Sequence, residues 1–166
     1  MASYINHKNT LFEWAKLTSI RGKPTFKMLH NILNKIKANT KAIYSNLREG
    51  SHSYISLVIT DCEIWISNIP FVNMTHPGML IIPDSTTDHA NSNIRIVQTE
   101  KVLLFRKVMR IEQALVQQIV ATVEDSYLAD IHNFMTNSIN NTVADVLNHL
   151  KDNYGHLMTR KLLKRE

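Results

Sequence analysis

Eight histidines, a single cysteine and the stretch Pro83-Asp84-Ser85-Thr86 are the residues of this chain whose chemistry could be metal-binding or catalytic. A histidine zinc site needs two imidazoles at a short helical offset, with a further protein ligand completing the coordination. His7, His30, His52, His76, His89, His132, His149 and His156 are widely spaced, and no H-E-x-x-H element is present. His149 and His156 come nearest, and Gly155 stands between them. These histidines read as structural or exposed, so neither a metal nor a cofactor is expected. Cys62 lies in no local signature of a catalytic thiol, and there is no G-x-S-x-G elbow. Four scattered glycines cannot build a phosphate-cradling loop. Asp84-Ser85-Thr86 lacks the glycine that a catalytic Asp-Ser/Thr-Gly turn requires, so Asp84 or Ser85 is expected to cap a helix. The expectation is a protein that is not an enzyme and takes no small-molecule substrate.

The elements that would position any site are mainly helical. Only four Gly and four Pro occur in 166 residues, too few for a turn-rich all-β fold. After an apolar cluster at Leu11, Phe12 and Trp14, Pro24 suits the first position of a helix running to about Tyr44. Phe26, Leu29, Leu33, Ile36 and Ile43 form its apolar stripe. Residues 54–59 form a β-rich run that fits either a short strand or hairpin or the lead into the next helix. Thr60-Asp61-Cys62-Glu63 matches a capping box, which predicts a short helix through Trp65. A loop over 68–88 follows, punctuated by Pro70, Pro77-Gly78 and Pro83, with Met79 to Ile82 apolar enough to be pinned to the core.

The clearest periodicity runs from about Asn93 to Asp125. Val97, Leu104, Val108, Ile111, Leu115, Ile119 and Thr122 return to one face in a near-heptad pattern. Val102, Leu103, Phe105, Val116 and Val120 widen that surface, so the helix is expected to be buried on two sides. A last helix, capped by Asn141 or Thr142 and stopped by Gly155, carries Val143, Val146, Leu147, Leu150 and Tyr154. The fold class is therefore a helical bundle with a long central helix, one domain over 1–166 whose residues 158–166 are a basic tail.

Charge and compartment narrow the partners. The formal charge is +5. Arg160, Lys161, Lys164 and Arg165 concentrate part of it in the tail, where they could touch RNA phosphates. Lys27, Lys35, Lys37 and Lys41 on the first helix read as a solvated face; only if Lys35, Lys37 and Lys41 converged with the tail would they form a nucleic-acid surface. One cysteine excludes an intrachain disulfide, and no apolar run approaches the roughly 20 residues that span a bilayer. A soluble protein in the reducing cytoplasm, with no membrane partner, is expected.

The order of segments resembles the N-terminal Gag-like (capsid-type) region of Ty1/copia-type LTR retrotransposon polyproteins. The residues that carry the likeness are Leu17-Thr18-Ser19-Ile20, Gly22-Lys23-Pro24-Thr25, Gly50-Ser51-His52 leading into Tyr54-Ile55-Ser56-Leu57-Val58, Pro70-Phe71-Val72 and His76-Pro77-Gly78. Gln117-Gln118-Ile119-Val120, Tyr127-Leu128-Ala129-Asp130, Thr142 to Leu150 and Tyr154-Gly155 complete it, over about residues 12 to 157. The resemblance implies a helical domain that self-associates into particles around the element's RNA. No cysteine-histidine zinc knuckle is present in this sequence, which leaves RNA contact to charge alone, and the glycine-rich stretch before His52 is reduced to Gly50. A truncated or domesticated remnant of such an element fits these departures.

Two function classes follow as expectations. The first is a structural self-assembly protein forming homo-oligomers, with Trp14, Trp65, Phe134 and Met135 as candidate self-association anchors, because aromatic and other large side chains dominate interface energetics. The alternative is a stand-alone nucleic-acid-binding helical module.

Overall fold

The computed structural model describes residues 17–45, 47, 52–59, 71–84, 87–133, 135–136 and 138–155. Its described residues are mainly helical, in three α-helices: α1 (Phe26–Lys41), the long α2 (Asp88–Val120) and α3 (Val143–Tyr154). No described helix is long and apolar enough to cross a membrane.

Each helix starts where a threonine can satisfy a free backbone donor. The Thr25 Oγ1 accepts from Met28 N–H at 3.4 Å, which places Pro24 just outside α1 instead of at its first position. Thr87 does the same for α2 through Ala90 N–H at 3.3 Å, so the cap falls on Thr87 and not on Asp84 or Ser85. Thr142 and Asp145 form a reciprocal capping box at the start of α3. Gly155 closes α3 in the right-handed conformation, with φ −77°.

Length decides the architecture. At about 1.5 Å per residue, the 33 residues of α2 extend about 50 Å, against about 24 Å for the 16 residues of α1 and 18 Å for the 12 of α3. The short helices can cover only part of α2. The core accordingly gathers Val108, Ile111, Leu115 and Ile119 from its C-terminal half with Ile32 and Ile36 of α1 and Val143, Val146 and Leu150 of α3. Burying each such side chain contributes about 1.5–3 kcal/mol. Packing of α3 against both α1 and α2 makes this a three-helix core.

The run at 54–59 is neither strand nor α-helix. Tyr54–Leu57 is a buried 3-10 turn that packs on α1, preceded by an isolated antiparallel bridge between Leu47 and His52. With Ser56 as its one polar residue, the hexapeptide has no periodicity to orient it, so tertiary packing selected the turn. The expected capping box at Thr60 to Glu63 and the helix through Trp65 fall outside the described residues.

At the other end of the core, residues 17–24 lie across the C-terminus of α2. Ile20 N–H donates to Thr122 O at 2.8 Å, and Gly22 N–H donates to the Glu124 carboxylate at 2.8 Å. Gly22 sits at φ +75°, a conformation that L side chains disfavour, so the turn delivering this contact depends on glycine.

Three expected burials are corrected. Met79 to Ile82 is not pinned to the core: Met79 is 91% and Ile81 82% exposed, and Phe71 and Met74 make the core contact instead. Val97 and Phe26, both 47% exposed, stand outside the core that the described residues form. The α2 helix is buried in its C-terminal half alone.

Candidate functional site

The surfaces that could bind a partner are set by what α2 does at each end. From Val108 onward it is a core helix, locked to α1 by a buried hydrogen bond from Asn39 Nδ2 to Gln118 Oε1 at 3.0 Å. Toward its N-terminus it leaves the core as an arm. Lys107 marks the boundary: its ammonium donates to Tyr44 O at 3.4 Å and lies 5.8 Å from the centroid of the buried Tyr54 ring. One turn earlier, on the same face, Leu103 is 58% exposed, and Ile96 two turns further out is also exposed.

The other side of the arm is covered by the 71–84 loop. Gln98 Nε2 donates to Gly78 O at 3.0 Å, and His76 meets Phe105 edge-on at 5.2 Å. Gly78, at φ +80°, makes the turn that brings its carbonyl to Gln98. At 100° per residue Gln98 and Phe105 lie nearly opposite Ile96 and Leu103 on the helix, so the loop leaves the Ile96–Leu103 face bare. Arg95, Arg106 and Arg110 flank that face, and no hydrogen bond or ion pair joins their side chains to other described residues.

Met135 is displayed differently. It stands at the tip of a turn closed by the Asn133–Ser138 bridge, where the Asn133 Oδ1 accepts from the backbone N–H of Met135 at 2.9 Å and Thr136 at 3.3 Å. Its side chain is 95% exposed, the placement an association anchor needs. Trp14, Trp65 and Phe134, and the tail residues Arg160, Lys161, Lys164 and Arg165, lie outside the described residues.

The first-helix lysines do not converge. Lys35 Nζ donates to Thr18 Oγ1 at 3.0 Å, whereas Lys37 and Lys41, one turn apart, occupy a different side of α1. The described histidines make separate local contacts. His30 stacks on Phe26, His89 pairs with Asn93, and His149 bonds Tyr127 O at 3.1 Å through Nε2 and Asn153 at 3.1 Å through Nδ1. Among the described residues no group of three or more His, Cys, Asp or Glu side chains is placed to hold a metal ion.

Searches against protein-family models, curated proteins and solved structures find no match to this chain.

Sequence reasoning missed one charged group under the core. Glu112, on α2, accepts the Val143 backbone N–H at the start of α3, while its Oε1 is buried with no hydrogen-bond partner. Burial pushes its carboxyl above the usual carboxylate range, Val143 N–H pulls the other way, and the nearby Asp145 carboxylate adds to the rise. The signal was present: Glu112 interrupts the apolar run between Ile111 and Leu115.

Proposed function

We propose that this chain is a structural self-assembly protein, a Gag/capsid-like helical domain of retrotransposon type or a remnant of one, forming homo-oligomers that enclose RNA. The observation that carries the reading is a small helical core from which a helix arm and the Met135 turn display large apolar side chains. Such display is costly in a monomer and suits repeated contacts near the small end of interface size. The resemblance in segment order from Leu17 to Gly155 supports the same reading. RNA contact is assigned to Arg160, Lys161, Lys164 and Arg165, whose attraction to phosphates would weaken steeply with salt.

Of the two classes, the stand-alone nucleic-acid module draws less support, because Lys35 is tied to Thr18 on a different side of α1 from Lys37 and Lys41. The deciding experiment is solution mass by light scattering on a sizing column, across protein concentration and salt. Oligomers that grow with concentration are expected; a strict monomer at high concentration would remove the self-assembly reading. A second measurement neutralises the four tail cations and compares retained RNA. Unchanged retention would remove the tail from the mechanism.

A further inference from the structure

The bare face of the arm has a charge pattern that a second copy of the same chain can match. Asp88 and Arg106 are 18 residues apart, which is about five helical turns and about 27 Å. They therefore lie on the same flank of α2, with Ile96 and Leu103 on the neighbouring exposed face between them. Neither side chain is hydrogen-bonded or ion-paired to another described residue.

We propose that the α2 arms of two copies cross antiparallel near Val97, Ile96 and Leu103 of each packing against the other. A two-fold axis perpendicular to the arms brings the same flank of each helix together and reverses its direction. Asp88 of each copy then comes level with Arg106 of its partner, so the pair forms twice. Apart from that pair the arm carries Arg95, Glu100 and Lys101, a single positive charge in excess. The two cores lie at opposite ends of the crossed arms, which separates their excess positive charge. The 71–84 loop sits on the far side of the arm, on Gln98 and Phe105, and does not obstruct the approach.

This inference rests on the self-assembly reading and names the surface that serves it. An RNA strand could also be drawn to the Arg95–Arg106–Arg110 flank, and the charge variants separate the two occupants. The test measures the dissociation constant of self-association by sedimentation for the full chain and for Asp88→Arg, Arg106→Asp, the double exchange, and Leu103→Asp. Circular dichroism checks that the helix content of each is unchanged; these residues are surface positions. Each single exchange replaces two attractions by two like-charge contacts and is expected to weaken association about tenfold, with the double exchange restoring it. Leu103→Asp is expected to abolish association at concentrations where the unaltered chain associates.

A strict monomer for the unaltered chain overturns both this inference and the self-assembly reading. Association that none of the variants changes, or that the double exchange does not restore, overturns this interface and leaves self-assembly through another surface. If Arg106→Asp loosens and Asp88→Arg tightens binding of a single-stranded RNA oligonucleotide while self-association is unchanged, the face binds polyanion and the inference fails.

Discussion

The two halves of α2 carry similar apolar spacing and meet opposite fates. Leu115, in the C-terminal half, has no exposed surface; Leu103, in the N-terminal half, is 58% exposed. Both stand in a helix that is continuous from Asp88 to Val120, so helix propensity does not distinguish them. What differs is the supply of neighbours: α1, α3 and the 54–57 turn all pack around the C-terminal half. Periodicity specifies which side of a helix is apolar; the length of its partners specifies how much of that side is buried.

The largest test of this contrast is a matched pair of truncations. Leu115→Ala is expected to cost about 2–5 kcal/mol, because it opens a cavity among Ile36, Ile119 and their neighbours. Leu103→Ala is expected to change monomer stability by no more than about 0.5 kcal/mol, since it removes exposed surface. Denaturant melts of both, at a concentration where the chain is monomeric, give the comparison directly. Equal effects would mean that the arm is packed in solution.

A smaller effect is expected at the polar lock inside the buried half. Asn39→Ala leaves the Gln118 side-chain oxygen without its buried donor and is expected to cost about 1–3 kcal/mol in the same melts. No measurable loss would show that α1 and α2 are held by apolar packing alone.

Glu112 sharpens the contrast through pH. Its folded-state carboxyl is raised above its ordinary value of 4.5, chiefly by burial, so the folded protein binds the proton more tightly than the unfolded chain. The carboxyl therefore costs stability at neutral pH, and the cost is relieved as pH falls through the raised folded value toward the ordinary one. Glu112→Gln keeps an acceptor for Val143 N–H and removes the charge. It is expected to be more stable than the parent at neutral pH, with the difference shrinking on acidification. A constant difference from neutral pH down to pH 4 would contradict the buried-carboxylate account.

The smallest change is expected at Tyr54, whose hydroxyl is buried without a hydrogen-bond partner. Tyr54→Phe removes that unsatisfied group and keeps the ring beneath Lys107, so the thermal midpoint should stay level or rise slightly. A clear fall would show that the hydroxyl is bonded in solution.

Much of the fold was legible. The stripe of α3, the stop at Gly155 and a long central helix follow from apolar spacing and end signals that act within one or two turns, whereas the α1 stripe was legible only in part: Leu29, Leu33 and Ile36 meet the core, Phe26 is exposed, and the buried Ile32 was not expected. The caps were partly legible: Thr142 was one of two expected residues, but Thr87 took the position expected of Asp84 or Ser85, since several adjacent polar residues can each cap a helix. The surfaces were less legible. Met135 was singled out and is exposed, whereas Val97 and Leu103 were expected to be covered, because their spacing gave no sign that α1 and α3 stop short.

By itself the sequence determined that the described chain is mainly helical and, within a few residues, where its three described helices run, because these depend on neighbours three or four residues away. Tertiary structure alone decided that 54–57 becomes a buried turn, that Asn39 meets Gln118, that Glu112 sits under α3, and that α2 is half core and half arm. Each of those depends on residues brought together from distant parts of the chain, and on how far short helices reach along a long one.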